Sequence, residues 1–383
     1  MMETHAEIRH AMRALCAHYP NTYWRELEAT NAYPDDFVNA MVESGFLGCL
    51  IPETYGGSGL GLQEAGVILE ELSRSGGHPG ACHAQMYTMG TLLRHGNEQQ
   101  KQTYLPKIAA GQLRLQAFAV TEPDAGTDTT AITTFARRDA NDYVVNGRKV
   151  FISRAEHSDL MLLLARTTPK QECQKKSQGM SVFLVDMRKV RGQEMQLQPI
   201  DMMMNHHCTE VSFNDMRIPA DSLIGEEGKG FKYILDSLNA ERILIAYECI
   251  GDSKFFIDRA KSYAAERVVF GRAIGQNQGV QFPIARAYTS MRAAELMVVT
   301  AAQKFDAGKA CGEDANIAKL LASEASWAAG DTCLQTHGGF GFAKEFDIER
   351  KLRETRLYQV APISTNLILS YVSEHVLGLP RSF

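Results

Sequence analysis

No two cysteines of this chain are spaced for a shared task. The eight, Cys16, Cys49, Cys82, Cys173, Cys208, Cys249, Cys311 and Cys333, form no CxxC pair and no zinc-like pattern, so they read as scattered, reduced thiols. Long apolar stretches are missing too. The strongest, Leu160-Met161-Leu162-Leu163-Leu164-Ala165, is far too short to cross a bilayer and suits a buried strand. Basic charge is not in excess: 40 Lys and Arg face 45 Asp and Glu, a formal net charge of -5. That argues against life on nucleic acid or an anionic membrane, though a local basic groove for an anionic ligand is still allowed. Glu3, Glu7 and Arg9 stand where a secretory signal needs an apolar core, and the Arg/Ser-rich, acid-poor character of a transit peptide is absent. Arg381-Ser382-Phe383 is not the peroxisomal tripeptide either. A cytoplasmic, bacterial protein is the expectation.

What is present is 383 residues of ordinary globular composition, long enough for two or three lobes with a sizeable core. From Ala6 to about Gly111 the apolar spacing is helical, as in Pro34 to Val42, Leu62 to Ser73 and Gln99 to Ala109. Between Leu113 and Ile224 it shortens to strand-length runs rich in β-branched and aromatic residues. These are Leu115 to Thr121, Ile132 to Arg137, Tyr143 to Val145, Val150 to Ser153, Leu160 to Ala165, Met180 to Val185 and Glu210 to Phe213. Thr167 to Gly179 reads as an exposed loop. After Gly225-Glu226-Glu227-Gly228 long helical periods return, with short connections that favour an antiparallel bundle. The chain therefore predicts an α+β multi-domain fold. A helical domain spans 1–113, a small β-barrel or sandwich 114–224, and a C-terminal four-helix bundle 225–383.

Two motifs carry chemistry. Val120-Thr121-Glu122-Pro123-Asp124-Ala125-Gly126-Thr127-Asp128 leaves a strand and bends at proline, with a glycine that lets backbone approach a ligand. Gln335-Thr336-His337-Gly338-Gly339-Phe340-Gly341 ends a helix in glycines. Taken singly, the first is an ordinary Pro/Gly turn and the second a helix C-cap. Together, and in this order, they resemble the acyl-CoA dehydrogenase flavoenzymes, and the resemblance covers nearly the whole chain.

The resemblance implies FAD. It places Phe118, Val120 and Thr121 along the flavin and brings Gly126 and Thr127 to its ribityl or pyrophosphate part, with Thr127 also counted towards substrate. Lys149-Val150-Phe151-Ile152-Ser153 is similar to the family's tryptophan-isoleucine-threonine strand; Phe151 keeps an aromatic wall and Ser153 a hydroxyl. Arg267-Val268-Val269-Phe270-Gly271 is similar to a segment whose arginine neutralises pyrophosphate in a neighbouring subunit. Gln278, Gln335 and Gly339 complete that contribution, and Ser364 and Asn366 are further cofactor contacts. A homo-oligomer, a tetramer in the family's pattern, is therefore expected.

One departure matters. Where most of the family carries glutamate-glycine-threonine, this chain reads Pro362-Ile363-Ser364, and Pro362 offers neither a carboxylate nor an amide hydrogen. The resemblance supplies another base: Leu235-Asp236-Ser237-Leu238-Asn239-Ala240-Glu241-Arg242 is similar to the helix from which isovaleryl-CoA and long-chain dehydrogenases offer their glutamate. Glu241 is then the catalytic base, and Asn239 and Arg242 contact the acyl-CoA. Read without the resemblance, a Glu-Arg pair on a helix is a solvated pair. The acyl pocket is expected along Cys82 to Tyr87 and the helix after Glu241. Asn205-His206-His207-Cys208 lacks further spaced ligands and reads as a packed strand-edge loop rather than a metal site.

The function expected is α,β-dehydrogenation of an acyl-CoA, with electrons passed to an electron-transferring flavoprotein. The alternatives on the same scaffold are an enoyl-CoA reductase, a desulfinase, a nitroalkane oxidase and a flavin monooxygenase. A DNA-binding relative is disfavoured by the acidic balance. No metal and no membrane insertion are expected.

Overall fold

The computed structural model describes residues 5–192 and 194–381, so Glu3, Ser382 and Phe383 lie outside the described residues. In chain order the helices α1 (Ala6–Ala17), α2 (Asn21–Thr30), α3 (Asp35–Glu43), α4 (Leu62–Arg74), α5 (Gly80–His95) and α6 (Glu98–Ala109) come first. The strands β1 (Leu115–Ala119), β2 (Phe135–Asp139), β3 (Asp142–Ser153), β4 (Leu160–Arg166) and β5 (Met180–Asp186) follow. A short α7 (Met187–Val190) leads into β6 (Met195–Ile200), β7 (Cys208–Pro219) and β8 (Leu223–Ile224). The long α8 (Gly230–Glu266), the hairpin β9 (Val268–Val269) and β10 (Arg272–Ala273), and α9 (Gln278–Asp306), α10 (Gly312–His337), α11 (Ile348–Arg356) and α12 (Thr365–Tyr371) end the chain. A helical N-terminal part, a central sheet and a helical C-terminal part are thus in the order the periodicity predicts.

The chain folds as two compact units that do not follow this order. One comprises 33–60 and 80–238; the other comprises 1–32, 61–79 and 239–383. The first is built on an eight-stranded sheet of order β6-β7-β3-β2-β4-β5-β8, with β1 pairing β4 in parallel. Leu160, Leu162 and Leu164 of β4 pack with Met89 and Leu92 of α5 and Leu105 and Ile108 of α6. The alternate residues Met161, Leu163 and Ala165 pack with Tyr143, Phe183 and Val211 on the opposite face. A strand buried on both faces explains the unbroken apolar run, each fully buried Leu contributing about 1.5–3 kcal/mol. Several strands differ from the sequence reading: β7 runs well beyond the expected Glu210 to Phe213, and β8 and the β9–β10 hairpin were not expected. β3 is one continuous strand rather than two pieces, and β6 was not expected, because exposed Gln196, Gln198 and Pro199 mask a polar edge strand.

The second unit is helical. Ala287, Met291, Ala294, Val298 and Ala301 of α9 recur at helical spacing, as do Ala315, Ala318, Ala322, Ala325 and Ala329 of α10; both stripes are buried. Buried charges join its helices. Arg9 forks onto Glu70 at 2.8 and 3.0 Å and reaches Glu71 at 2.6 Å, while Lys254 bridges Glu70 and Glu295. The start of α4 is capped from a distance: Asp306 accepts from the amides of Leu62 at 2.7 Å and Gln63 at 3.1 Å. Among the described residues no helix is long and apolar enough to cross a membrane.

Candidate active site

The sheet unit assembles the expected flavin wall from β1, β3 and the turn that leaves β1. The amide of Val150 donates to the carbonyl of Thr121 at 3.0 Å, which sets the turn against β3. Beneath it, the buried Lys149 ammonium donates to the Val120 carbonyl at 2.8 Å and pairs with Glu122 at 2.9 Å. Glu122 also accepts from the amides of Thr133 at 2.6 Å and Thr134 at 2.9 Å. These contacts overcome the cost of burying the carboxylate, and its pKa falls to about 2, with Lys149 the largest lowering influence. Burial pulls Lys149 down to about 8 against the attraction of Glu122. Neither residue was assigned a role from the sequence. The available signal was a lysine inside an otherwise apolar strand.

The other residues expected along the flavin belong to the same unit. Phe118 is half-buried, its ring 5.9 Å from that of Tyr87 on α5, which in turn lies 4.9 Å from the buried His83. Gly126 and Thr127 are exposed, and no heavy atom stands within 4 Å of the point a Cβ would take at Gly126. Phe151 sits where the β3–β7 register slips between Lys149 and Ile152, at φ +59°, with 57% of its surface exposed. A bulky aromatic at positive φ is strained, and such residues persist where the surrounding structure over-determines them. An exposed ring, an open glycine turn and the Ser153 hydroxyl on one strand-and-turn surface fit an isoalloxazine and its chain.

The helical unit holds the remaining expected residues. Glu241 lies buried on α8, and Asn239 accepts from Arg242 Nη1 at 2.9 Å. The Arg242 Nε finds no hydrogen-bond partner among the described residues, and burial lowers the guanidinium's pKa against the attraction of Glu241. On α10 the fully buried Lys319 donates to the Ile363 carbonyl at 2.6 Å, tying down the loop that carries Pro362. Burial moves Lys319 to about 8, while Glu241 pulls it upward and Arg242 downward. The structure thus brings Glu241, Arg242, Lys319 and the 361–364 loop into one electrostatic cluster, and Lys319 was not foreseen. Ser364 caps α12, accepting from the Leu367 amide at 3.2 Å, and Asn366 is exposed. Tyr247, expected in the acyl pocket, packs on Gly66, where a Cβ would stand 2.2 Å from its ring.

Arg267 and the 335–341 segment also meet. The guanidinium lies 5.8 Å from the centre of the Phe340 ring. Phe270 and Gly271, at φ +52° and +80°, make the two-residue turn of the β9–β10 hairpin, and Phe270 is completely exposed. Gln278 opens α9; Gln335 and Gly339 flank the positive-φ Gly338 that ends α10, and all three are exposed. Among the described residues no group of three or more His, Cys, Asp or Glu is placed to hold a metal ion.

Comparison with known proteins accounts for the whole chain. Residues 2–112, 117–216 and 228–376 match the N-terminal, middle and C-terminal domains of acyl-CoA dehydrogenase. An acyl-CoA dehydrogenase of Mycobacterium tuberculosis is 34% identical over 386 residues, covering 100% of this chain and 98% of the relative. Subunit CarC of the caffeyl-CoA reductase-Etf complex of Acetobacterium woodii is 32% identical over 345 residues, 88% of each chain. The crystal structure of an acyl-CoA dehydrogenase from Geobacillus kaustophilus superposes with a TM-score of 0.92 at 28% identity, covering 98% of both chains.

Proposed function

This chain belongs to the acyl-CoA dehydrogenase family, and from that premise we propose that it oxidises the Cα–Cβ bond of an acyl-CoA thioester with Glu241 as base. When bound, FAD supplies the acceptor for the hydride that leaves Cβ. Glu241 takes the α proton through its carboxylate, which needs no cofactor chemistry of its own. Asn239 holds Arg242, and Arg242 presents positive charge beside the carboxylate. The single observation that carries this reading is a buried glutamate in a built cationic cluster, in a chain whose usual glutamate position is Pro362.

Phe118, Val120, Thr121, Gly126, Thr127, Phe151 and Ser153 would hold the flavin from the sheet unit. Arg267, Phe270, Gln278, Gln335 and Gly339 would serve a neighbouring copy, the exposed Phe270 being buried on association into a homo-oligomer, most simply a tetramer. Electrons would pass to an electron-transferring flavoprotein in the cytoplasm; the Acetobacterium relative is named for such a complex. That relative's name also supports the opposite direction, in which Glu241 would return a proton to an enoyl-CoA.

Anaerobic stopped-flow mixing with a panel of saturated acyl-CoAs tests the proposal. Flavin bleaching with at least one thioester is expected. No bleaching with any of them, together with reoxidation of the reduced enzyme by enoyl-CoAs, would assign the reductive direction instead. Silence in both assays would remove the thioester reading.

A further inference from the structure

His206 stands behind Ser153. Its Nε2 is 3.0 Å from the Ser153 Oγ, its Nδ1 is 3.4 Å from Arg154 Nη2, and the Cys208 Sγ lies 3.9 Å from the same serine hydroxyl. The backbone is shaped to make this arrangement. Arg154 and His207 both adopt positive φ, +56° and +51°, and the Arg154 amide donates to the His207 carbonyl at 2.7 Å. Ser153 and Cys208 are paired across β3 and β7, so the 202–207 loop folds His206 back onto the strand end.

The donors decide the tautomer. A guanidinium has only donors, so the imidazole nitrogen that faces Arg154 presents its lone pair. Neutral His206 then carries its hydrogen on Nε2 and donates it to Ser153 Oγ. The serine's own hydrogen is left to point elsewhere, and the thiol sulfur at 3.9 Å is a weak acceptor.

We propose that His206 is a positioning residue that locks the Ser153 hydroxyl as a hydrogen-bond donor to the flavin ring edge, so that oxidised FAD is held in preference to reduced FAD. This rests on Ser153 being a flavin contact, as in the proposed function. Oxidised isoalloxazine offers unprotonated ring nitrogen to a donor. Two-electron, two-proton reduction puts a hydrogen there, and a locked donor then faces a donor. The lock lowers the potential of the bound cofactor.

The test is the midpoint potential of the FAD holoenzyme. His206→Leu should weaken the preference for oxidised FAD roughly tenfold, raising the potential by about 30 mV for a two-electron couple. His206→Gln, which keeps an amide donor near the Nε2 position, should remain close to the parent. Ser153→Ala should raise the potential, and adding His206→Leu to it should change nothing more. A shift with Ser153→Ala but none with His206→Leu overturns the proposal and leaves Ser153 as a flavin contact; no shift in either removes both readings. Because a substitution can disturb folding, nitrogen-15 imidazole spectra of the unmutated holoenzyme give an independent check. His206 protonated on Nδ1 rather than Nε2 overturns the lock.

Discussion

Lys149 Nζ stands 2.9 Å from Glu122 Oε1, and both side chains are buried beneath the turn that the sequence marks for the flavin. The carboxylate's folded pKa of about 2 lies below its ordinary 4.5. A depressed carboxylate stabilises the fold above its unfolded pKa, and that contribution is lost as pH falls through the folded value. Ionised Glu122 should therefore stabilise the fold above pH 4.5, an effect that fades towards pH 2. Denaturant midpoints of the parent and Glu122→Gln, compared across that window, should differ most at neutral pH and converge in acid. A difference independent of pH would mean that the pair is not the source.

Phe151→Gly separates strain from binding. Glycine takes φ +59° without penalty, and positive-φ strain costs about 1–3 kcal/mol. The apoprotein should be as stable as the parent or more so, since the ring is mostly exposed, whereas FAD affinity should drop at least tenfold. Thermal melts of the apoprotein and fluorescence titration with FAD read the two effects separately. A large loss of apoprotein stability would show that the ring is a packing element.

Glu241→Gln should lower the rate of flavin bleaching by about 10²–10⁴-fold while FAD stays bound. The comparison requires only the anaerobic rate and the flavin spectrum. If bleaching persists at the parent rate, the proton acceptor lies elsewhere in the chain.

Phe270→Asp places a charge at the tip of a hairpin whose flanking Val268 and Val269 are also exposed. If this tip is covered by a neighbouring copy, the variant should dissociate and lose flavin together, because Arg267 immediately precedes β9 of the same hairpin. Sedimentation velocity recorded with flavin absorbance follows both. A variant that keeps its size and its flavin places Phe270 outside the interface.

Much of this was legible in residue order alone. The helix–sheet–helix plan followed from where apolar spacing changes from helical to strand-like, because that spacing is dictated by which face of each element is buried. Glu241 was singled out because motif order survives in sequence, even though Glu-Arg by itself would pass for a solvated pair, and the structure buries its side chain. The polar edge strand β6 escaped because an edge strand need bury little, and its glutamines and Pro199 carry no strong signal.

What sequence alone determined, then, is local: the periods, the glycine turns, and the loss of an acid and an amide at Pro362. Tertiary structure decided the partnerships. Lys149 finds Glu122 across 27 residues, Lys319 reaches the Ile363 carbonyl across 44, and His206 turns back onto Ser153 across 53. A buried charge or donor has to be satisfied, but the chain does not state by whom. Only folding brings the distant partner within hydrogen-bonding distance, and that contact makes a lysine in an apolar strand, or a histidine at a strand edge, part of the candidate site.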